Sequence, residues 1–232
     1  MNMTTIRLWD LPVRLFHWLL VLAVVGAIVT TKLGGSWMAW HERFGLLVVG
    51  LLAFRIVWGF LGSSYARFTR FVRGPGAIMA YLKGRWQGVG HNPLGALSVL
   101  ALIGLFGFQA VTGLFANDEI AFYGPLYPLV SSDLSGTFSG WHRQTEWYLY
   151  GLVALHVAAV MFYTHVRKDN LLKPMITGTK VVPQGHADDA KGGGAIAFLV
   201  SLVLALAMVW AASGELVSPP PAPEPAPQDL GW

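Results

Sequence analysis

The stretch "GWHRQTEWYLYGLVALHVAAV" (140–160) carries two histidines, His142 and His156, fourteen residues apart in a mostly apolar run. At 100° per residue, fourteen positions fall about 40° short of four full turns, so both imidazoles stand on one helical face. At 1.5 Å per residue they are about 21 Å apart along the axis. About 20 mainly apolar residues cross a bilayer core of about 30 Å. An ionisable side chain inside such a span usually faces the bundle interior and marks function. The segment therefore reads as a membrane helix that offers one imidazole to each of two levels.

The rest of the chain has the composition to surround such a helix. Its 232 residues are 54% hydrophobic and 12% charged, with a mean hydropathy of +0.53, against about 25% charged in a soluble domain. Five runs are long and apolar enough to span: about 12–31, 39–61, 94–116, 141–165 and 194–213. The last, "GAIAFLVSLVLALAMVWAAS", has no charge at all. The first is read as a retained helix rather than a secretory signal, since no A-x-A-like site follows it in "TTKLGGSW". Asp10 and Pro12 predict its cap and first turn. The expected fold class is an all-α integral membrane protein.

Cysteine is absent, which excludes disulfides, thiolate metal sites, iron–sulfur clusters and covalently attached c-type haem. The net charge of +4 reflects topology rather than nucleic-acid binding. Arg7, Arg14, Arg67, Arg70, Arg73, Lys83, Arg85, Arg167, Lys168, Lys173, Lys180 and Lys191 fall on one side of the expected spans, and Lys32 on the other. This asymmetry predicts a cytoplasmic N-terminus and a periplasmic or external C-terminus. Trp37, Trp40, Trp141 and Trp147 fall on the outer side, as an interfacial belt does. The outer loop 117–140 has no basic residue, and its Gly, Pro and aromatic content predicts a packed lid. The tail "VSPPPAPEPAPQDLGW" reads as proline-rich and unfolded.

With this topology four histidines sort by depth. His17 and His156 lie toward the inner side, His41 and His142 toward the outer side. Each pair draws on two helices. Haem iron takes two axial ligands on opposite faces of a ring, and helix bundles cradle such groups. Zinc would want three or four ligands around one point, and "HERFG" (41–45) is not H-E-x-x-H. Gly45, one turn after His41, would leave room for a flat porphyrin. Arg55, fourteen residues after His41, repeats that face near the inner level. It admits two readings: a partner for a haem propionate, or a side chain snorkelling to the interface. His165 falls on the opposite face from His156, His91 starts the third span and His186 is in a polar loop. None of these three is read as an iron ligand.

"WDLPVRLFHW" (9–18), "WHERFG" (40–45), "FRIVWGFLGSSYARF" (54–68), "GHNPLGALSVLAL" (90–102) and "LHVAAVMFYTHVRKDNLLKPMITGTK" (155–180) together resemble the bacterial cytochrome b-561 and nickel–iron hydrogenase cytochrome b family. The resemblance implies a four-helix core with two non-covalent b haems, ligated by His17 and His156 (inner) and by His41 and His142 (outer). It also implies electron transfer between a quinone pool and a partner redox protein in a respiratory chain, the partner being a hydrogenase, a molybdoenzyme or a c-type cytochrome. The expected organisation is a di-haem domain over 1–180, a cytoplasmic linker over 181–193, a fifth transmembrane helix over 194–213 and a disordered tail over 214–232. A quinone is expected beside either haem, with His91, Arg67 and Arg70 favoured as its surroundings. Whether the chain is an enzyme in its own right stays open. One rival is a superoxide:quinone oxidoreductase, with Arg43 and Arg143 attracting an anion unless they pair with Glu42 and Glu146. The other is a haem-free transporter, which would favour discontinuous helices with paired acids in mid-span.

Overall fold

A computed structural model describes residues 2–120 and 122–217. Most of the proline-rich tail, from residue 218 on, lies outside the described residues. Among the described residues five helices are long and apolar enough to cross a membrane, and they form a bundle.

A short strand, β1 (Met3–Arg7), precedes the first helix, α1 (Leu11–Leu33). Asp10 caps α1: one carboxylate oxygen accepts from the Val13 N–H at 2.8 Å and the other from Trp58 Nε1 at 3.1 Å. The cap therefore also ties the start of α1 to the end of α2 (Met38–Leu61). Between α1 and α2 the chain reverses through Gly34 and Gly35, both at positive φ (64° and 55°), a region glycine enters without steric cost. Two short helices follow, α3 (Phe68–Phe71) and α4 (Pro75–Leu82). The third span, α5 (Pro93–Leu114), starts on an Asn92 cap and a first-turn proline.

The fourth span lies within α6 (Ser132–His165), which begins nine residues before the apolar run does. Residues 132–140, expected in the lid, are its first turns. "SDLSGTFSG" carries no apolar stripe, but Ser131 caps the helix and Ser135 and Ser139 stand one turn apart, both buried. The Ser135 hydroxyl donates to the Phe115 carbonyl at 2.7 Å and accepts from Asn117 Nδ2 at 2.6 Å; Ser139 Oγ accepts from the Asn117 N–H at 2.9 Å. The shortened lid is stitched to this extension by hydroxyls rather than by hydrophobic contact.

After α6 come α7 (Leu172–Thr177), β2 (Thr179–Pro183) and the fifth span, α8 (Gly194–Ala212). β2 pairs antiparallel with β1, with Met3 opposite Pro183 and Arg7 opposite Thr179. This sheet was not expected. Its strands are five residues each, carry no clear alternation and meet across almost the whole chain. Residues 181–183 of the expected linker are part of β2, and the segment after them is tied to β1 and to the turn after α2. The Ala190 N–H donates to the Arg7 carbonyl at 2.7 Å, the Ser64 N–H to the Lys191 carbonyl at 2.8 Å, and the Tyr65 hydroxyl to the Asp188 carbonyl at 2.8 Å.

Helix α2 packs against both α1 and α8; α5 packs along α6 and meets α2. α8 docks through small residues: Ser201 and Ala205, one turn apart, are buried. A Cβ on Gly50 of α2 would come within 2.6 Å of Val209 of α8. Small residues at such a crossing let two backbones approach, which is how membrane helices gain packing without a hydrophobic drive between them. One apolar cluster (Leu8, Trp9, Val13, Phe54, Trp58, Ala66, Ala205) lies at the sheet end of the bundle. A second (Ala23, Val48, Leu51, Leu52, Phe106, Leu149) fills its middle.

Candidate functional site

At the end away from the sheet, His41 of α2 faces His142 of α6 with ring centroids 6.1 Å apart and planes at 89°. His41 Nδ1 lies 2.9 Å from the Ala27 carbonyl of α1, and His142 Nδ1 lies 2.9 Å from the Gln109 carbonyl of α5. A carbonyl only accepts, so each Nδ1 carries the proton and each Nε2 keeps its lone pair. That is the tautomer a metal-binding imidazole needs. Gln109 also donates from Nε2 to the His142 carbonyl at 3.0 Å and accepts from the Thr145 hydroxyl. The Thr112 hydroxyl stands 3.4 Å from His142 Nδ1. Gly113 makes room for the ring, since a Cβ there would sit 2.8 Å from His142 Cε1.

Sequence reasoning missed Gln109, Thr112, Gly113 and Thr145. Their contacts run between helices, and no spacing along one helix shows them. Glu146 pairs with Lys32 of α1 at 2.9 Å and accepts from the Tyr150 hydroxyl, so its partner is not Arg143. Among the described residues neither Arg43 nor Arg143 forms an ion pair; the Arg43 guanidinium stacks 4.6 Å over Trp40.

At the sheet end, His17 of α1 and His156 of α6 lie close enough for their charges to interact. His91, just before α5, is near both His156 and Arg55. Its ring is held between Trp9 (4.7 Å) and Phe71 (4.5 Å). Burial, with Arg55 and His156 beside it, pushes His91 down to about 3, so it is neutral at pH 7. Arg55 is 3% exposed. Its guanidinium stands 4.7 Å over Phe68 and 6.0 Å from Phe71. That burial removes the snorkelling alternative. His17 Nδ1, His91 Nδ1 and Arg55 Nη1 are buried and have no hydrogen-bond partner among the described residues.

The structure thus brings together His41 with His142, and His17 with His156, Arg55 and His91. It leaves His165 and His186 exposed and apart. Arg67 is engaged in the turn after α2, donating from Nε to the Gly62 carbonyl at 2.8 Å, and Arg70 is exposed. Of the three residues expected around a quinone, only His91 reaches the interior cluster. A Cβ on Gly45 would meet nothing within 4 Å although the residue is half-buried.

These features fit a haem. Two imidazoles facing each other at 6.1 Å, each with Nδ1 held by a carbonyl and Nε2 free, are a donor set that would hold a haem iron. Open space lies beside Gly45 on the His41 helix, and an unpaired buried cation waits at the other level. Among the described residues no three His, Asp or Glu side chains are placed to hold one metal ion together.

Comparison with known proteins bears on the same residues. The family model described as prokaryotic cytochrome b561 matches residues 8–178. The chain is 27% identical over 227 residues to a probable Ni/Fe-hydrogenase B-type cytochrome subunit of Azotobacter vinelandii, covering 80% of this chain and 92% of that protein. It is 24% identical over 221 residues to the probable Ni/Fe-hydrogenase 1 B-type cytochrome subunit of Escherichia coli K12, covering 76% and 91%. It is 26% identical over 209 residues to a probable Ni/Fe-hydrogenase B-type cytochrome subunit of Cupriavidus necator, covering 73% and 84%. No solved structure matches the chain.

Proposed function

We infer, for a chain that belongs to the prokaryotic cytochrome b561 family, that it carries electrons across the membrane through two haem b groups stacked at two levels. It is a multi-pass membrane protein and a b-type cytochrome, and its group is haem b. When bound, haem would supply a one-electron carrier. His41 and His142 would hold the outer iron, His17 and His156 the inner one. Arg55 would face a propionate, and Gly45 would leave space for the ring.

The chain's own contribution is positional. The carbonyls of Ala27 and Gln109 hold two imidazoles by Nδ1 and leave Nε2 free. This fixes the tautomer, limits ring rotation and raises the basicity of the coordinating nitrogen. The apolar layer between the levels excludes water from the path of the electron. The facing of His41 and His142, each with Nδ1 on a carbonyl, carries this reading.

Electrons pass between a quinone and a partner redox protein. The names of the similar proteins favour a nickel–iron hydrogenase as that partner. The N-terminus is cytoplasmic and the C-terminus periplasmic. Residues 1–180 form the di-haem unit, 181–193 a linker, 194–213 an added helix and 214–232 a tail. A second reading has one observation behind it. Arg43 and Arg143 flank the outer pair without an ion-pair partner among the described residues, as an attractor for superoxide would. Superoxide-dependent quinone reduction by the purified chain distinguishes it.

The primary test is the absorption spectrum of the purified protein, oxidised and reduced, with a haem-to-protein ratio. Two b haems per chain are expected. A ratio of one overturns the two-level reading, and a colourless protein overturns both redox readings.

A further inference from the structure

The sheet end of the bundle poses a charge problem that the histidine pair does not solve. Arg55 keeps its proton in any protein environment, yet it is 3% exposed and its Nη1 has no hydrogen-bond partner among the described residues. A buried, uncompensated charge costs several kcal/mol. Two aromatic faces, Phe68 and Phe71, return part of this through cation–π attraction. They satisfy no N–H. Asp10 is near enough to act on the guanidinium charge, but its two oxygens already accept from the Val13 N–H and Trp58 Nε1. It forms no ion pair among the described residues.

The second unsatisfied group shares a wall with the first. The Phe71 ring lies between Arg55 and His91, 6.0 Å from the guanidinium and 4.5 Å from the imidazole. His91 Nδ1 is likewise buried without a partner among the described residues. Trp9 closes the other side of the imidazole at 4.7 Å. So one fixed cation and one neutral N–H donor are held in the same apolar enclosure, beside His156, with no acceptor of their own.

We propose that Arg55 and His91 form a single two-donor receptor for a carboxylate, and that a propionate of the inner haem fills it. The assignment rests on the di-haem reading above and adds His91 to it. A carboxylate fits better than a neutral oxygen such as a quinone carbonyl, because only an anion cancels the Arg55 charge. His91 then donates a hydrogen bond to the same carboxylate. Phe68, Phe71 and Trp9 position the two donors and keep water from competing.

The test compares haem b with its dimethyl ester, which lacks both carboxylate charges. Full-length apoprotein, made in haem-starved cells, is titrated with each, and the two spectral components are followed separately. Wild type should bind haem b at the inner site about tenfold or more tightly than the ester, the scale of one charge-assisted hydrogen bond. His91→Leu and Arg55→Met should each shrink that preference, and the double variant should abolish it. His91→Gln, which keeps an N–H donor, should restore part of it and serves if His91→Leu fails to insert. The outer component should be unchanged in all four variants. Equal inner-site binding of haem b and ester by wild type overturns the proposal. So does a preference that survives His91→Leu while binding of a quinone analogue is lost, since the receptor then holds a quinone oxygen. Failure of wild type to bind haem at any site refutes the underlying reading instead.

Discussion

Gly113→Ala tests the outer site without touching a ligand. The added Cβ would lie 2.8 Å from His142 Cε1 and 3.1 Å from Nδ1. Carbon contacts relax at about 3.5–4.0 Å, so the imidazole must retreat by about 0.7 Å or more. It cannot retreat freely, because Nδ1 is held to the Gln109 carbonyl at 2.9 Å. Either that bond stretches beyond useful length, at about 1 kcal/mol, or the crowded contact persists, at about 1–3 kcal/mol. Either way the outer ligand pair is displaced from its 6.1 Å separation. A cost of about 2 kcal/mol is roughly thirtyfold in retention of the outer haem. The assay is haem loss from the outer spectral component during mild detergent challenge, with the inner component as internal standard. Gly104→Ala on the same helix, where a Cβ meets nothing within 4 Å, controls for the gain in helix propensity. An outer component that is as tightly held in Gly113→Ala as in wild type would refute the argument, since His142 would then not be where its ligand role requires.

Four further outcomes follow from the same geometry. His17→Ala and His156→Ala should remove one spectral component, and His41→Ala and His142→Ala the other; cross-grouping would break the two-level scheme. His165→Ala should leave both haems in place, and loss of either would reveal a misassigned ligand. Because the chain has no cysteine, Thr5→Cys with Val181→Cys, opposite each other in the sheet, should form a crosslink on oxidation, whereas Thr5→Cys with Ala205→Cys should not. A periplasm-dependent reporter fused after residue 217 should be active, and a cytoplasm-dependent one silent; the reverse would invert the two levels.

The spans were legible because bilayer thickness imposes one length on all of them, and apolar runs report that length directly. That His41 and His142 would face each other was legible for a related reason: a helix converts residue number into depth and face at once. The start of α6 was not, because Ser135 and Ser139 are buried by hydrogen bonding to the Phe115–Asn117 turn rather than by hydrophobicity. The sheet escaped because its strands are short and its pairing nonlocal. The fate of Arg55 also needed three dimensions. Fourteen residues after His41 fixes its face and depth, but only the Phe68 and Phe71 rings, brought over by α3, close its route to water. The clasp on His142 escaped for the same cause, since Gln109, Thr112 and Gly113 belong to α5 and reveal their purpose only when α6 lies beside them.

The sheet has a consequence for how the molecule is closed. Arg7 sits opposite Thr179, and the Leu8 and Trp9 N–H groups both donate to the Gly178 carbonyl, at 2.8 and 3.1 Å. The stretch matched by the family, 8–178, therefore begins and ends at the same spot. Four spans whose ends meet make a loop that has been cut there, not a rod with two free ends. Such a unit tolerates circular permutation when the old ends are adjacent and the new ones open at the surface. With 7 and 179 joined by a short linker, a cut near exposed Ile120 would keep all four histidines in the same bundle. The fifth helix follows the closure and so falls outside the permuted unit, which would have to stand on its four spans alone.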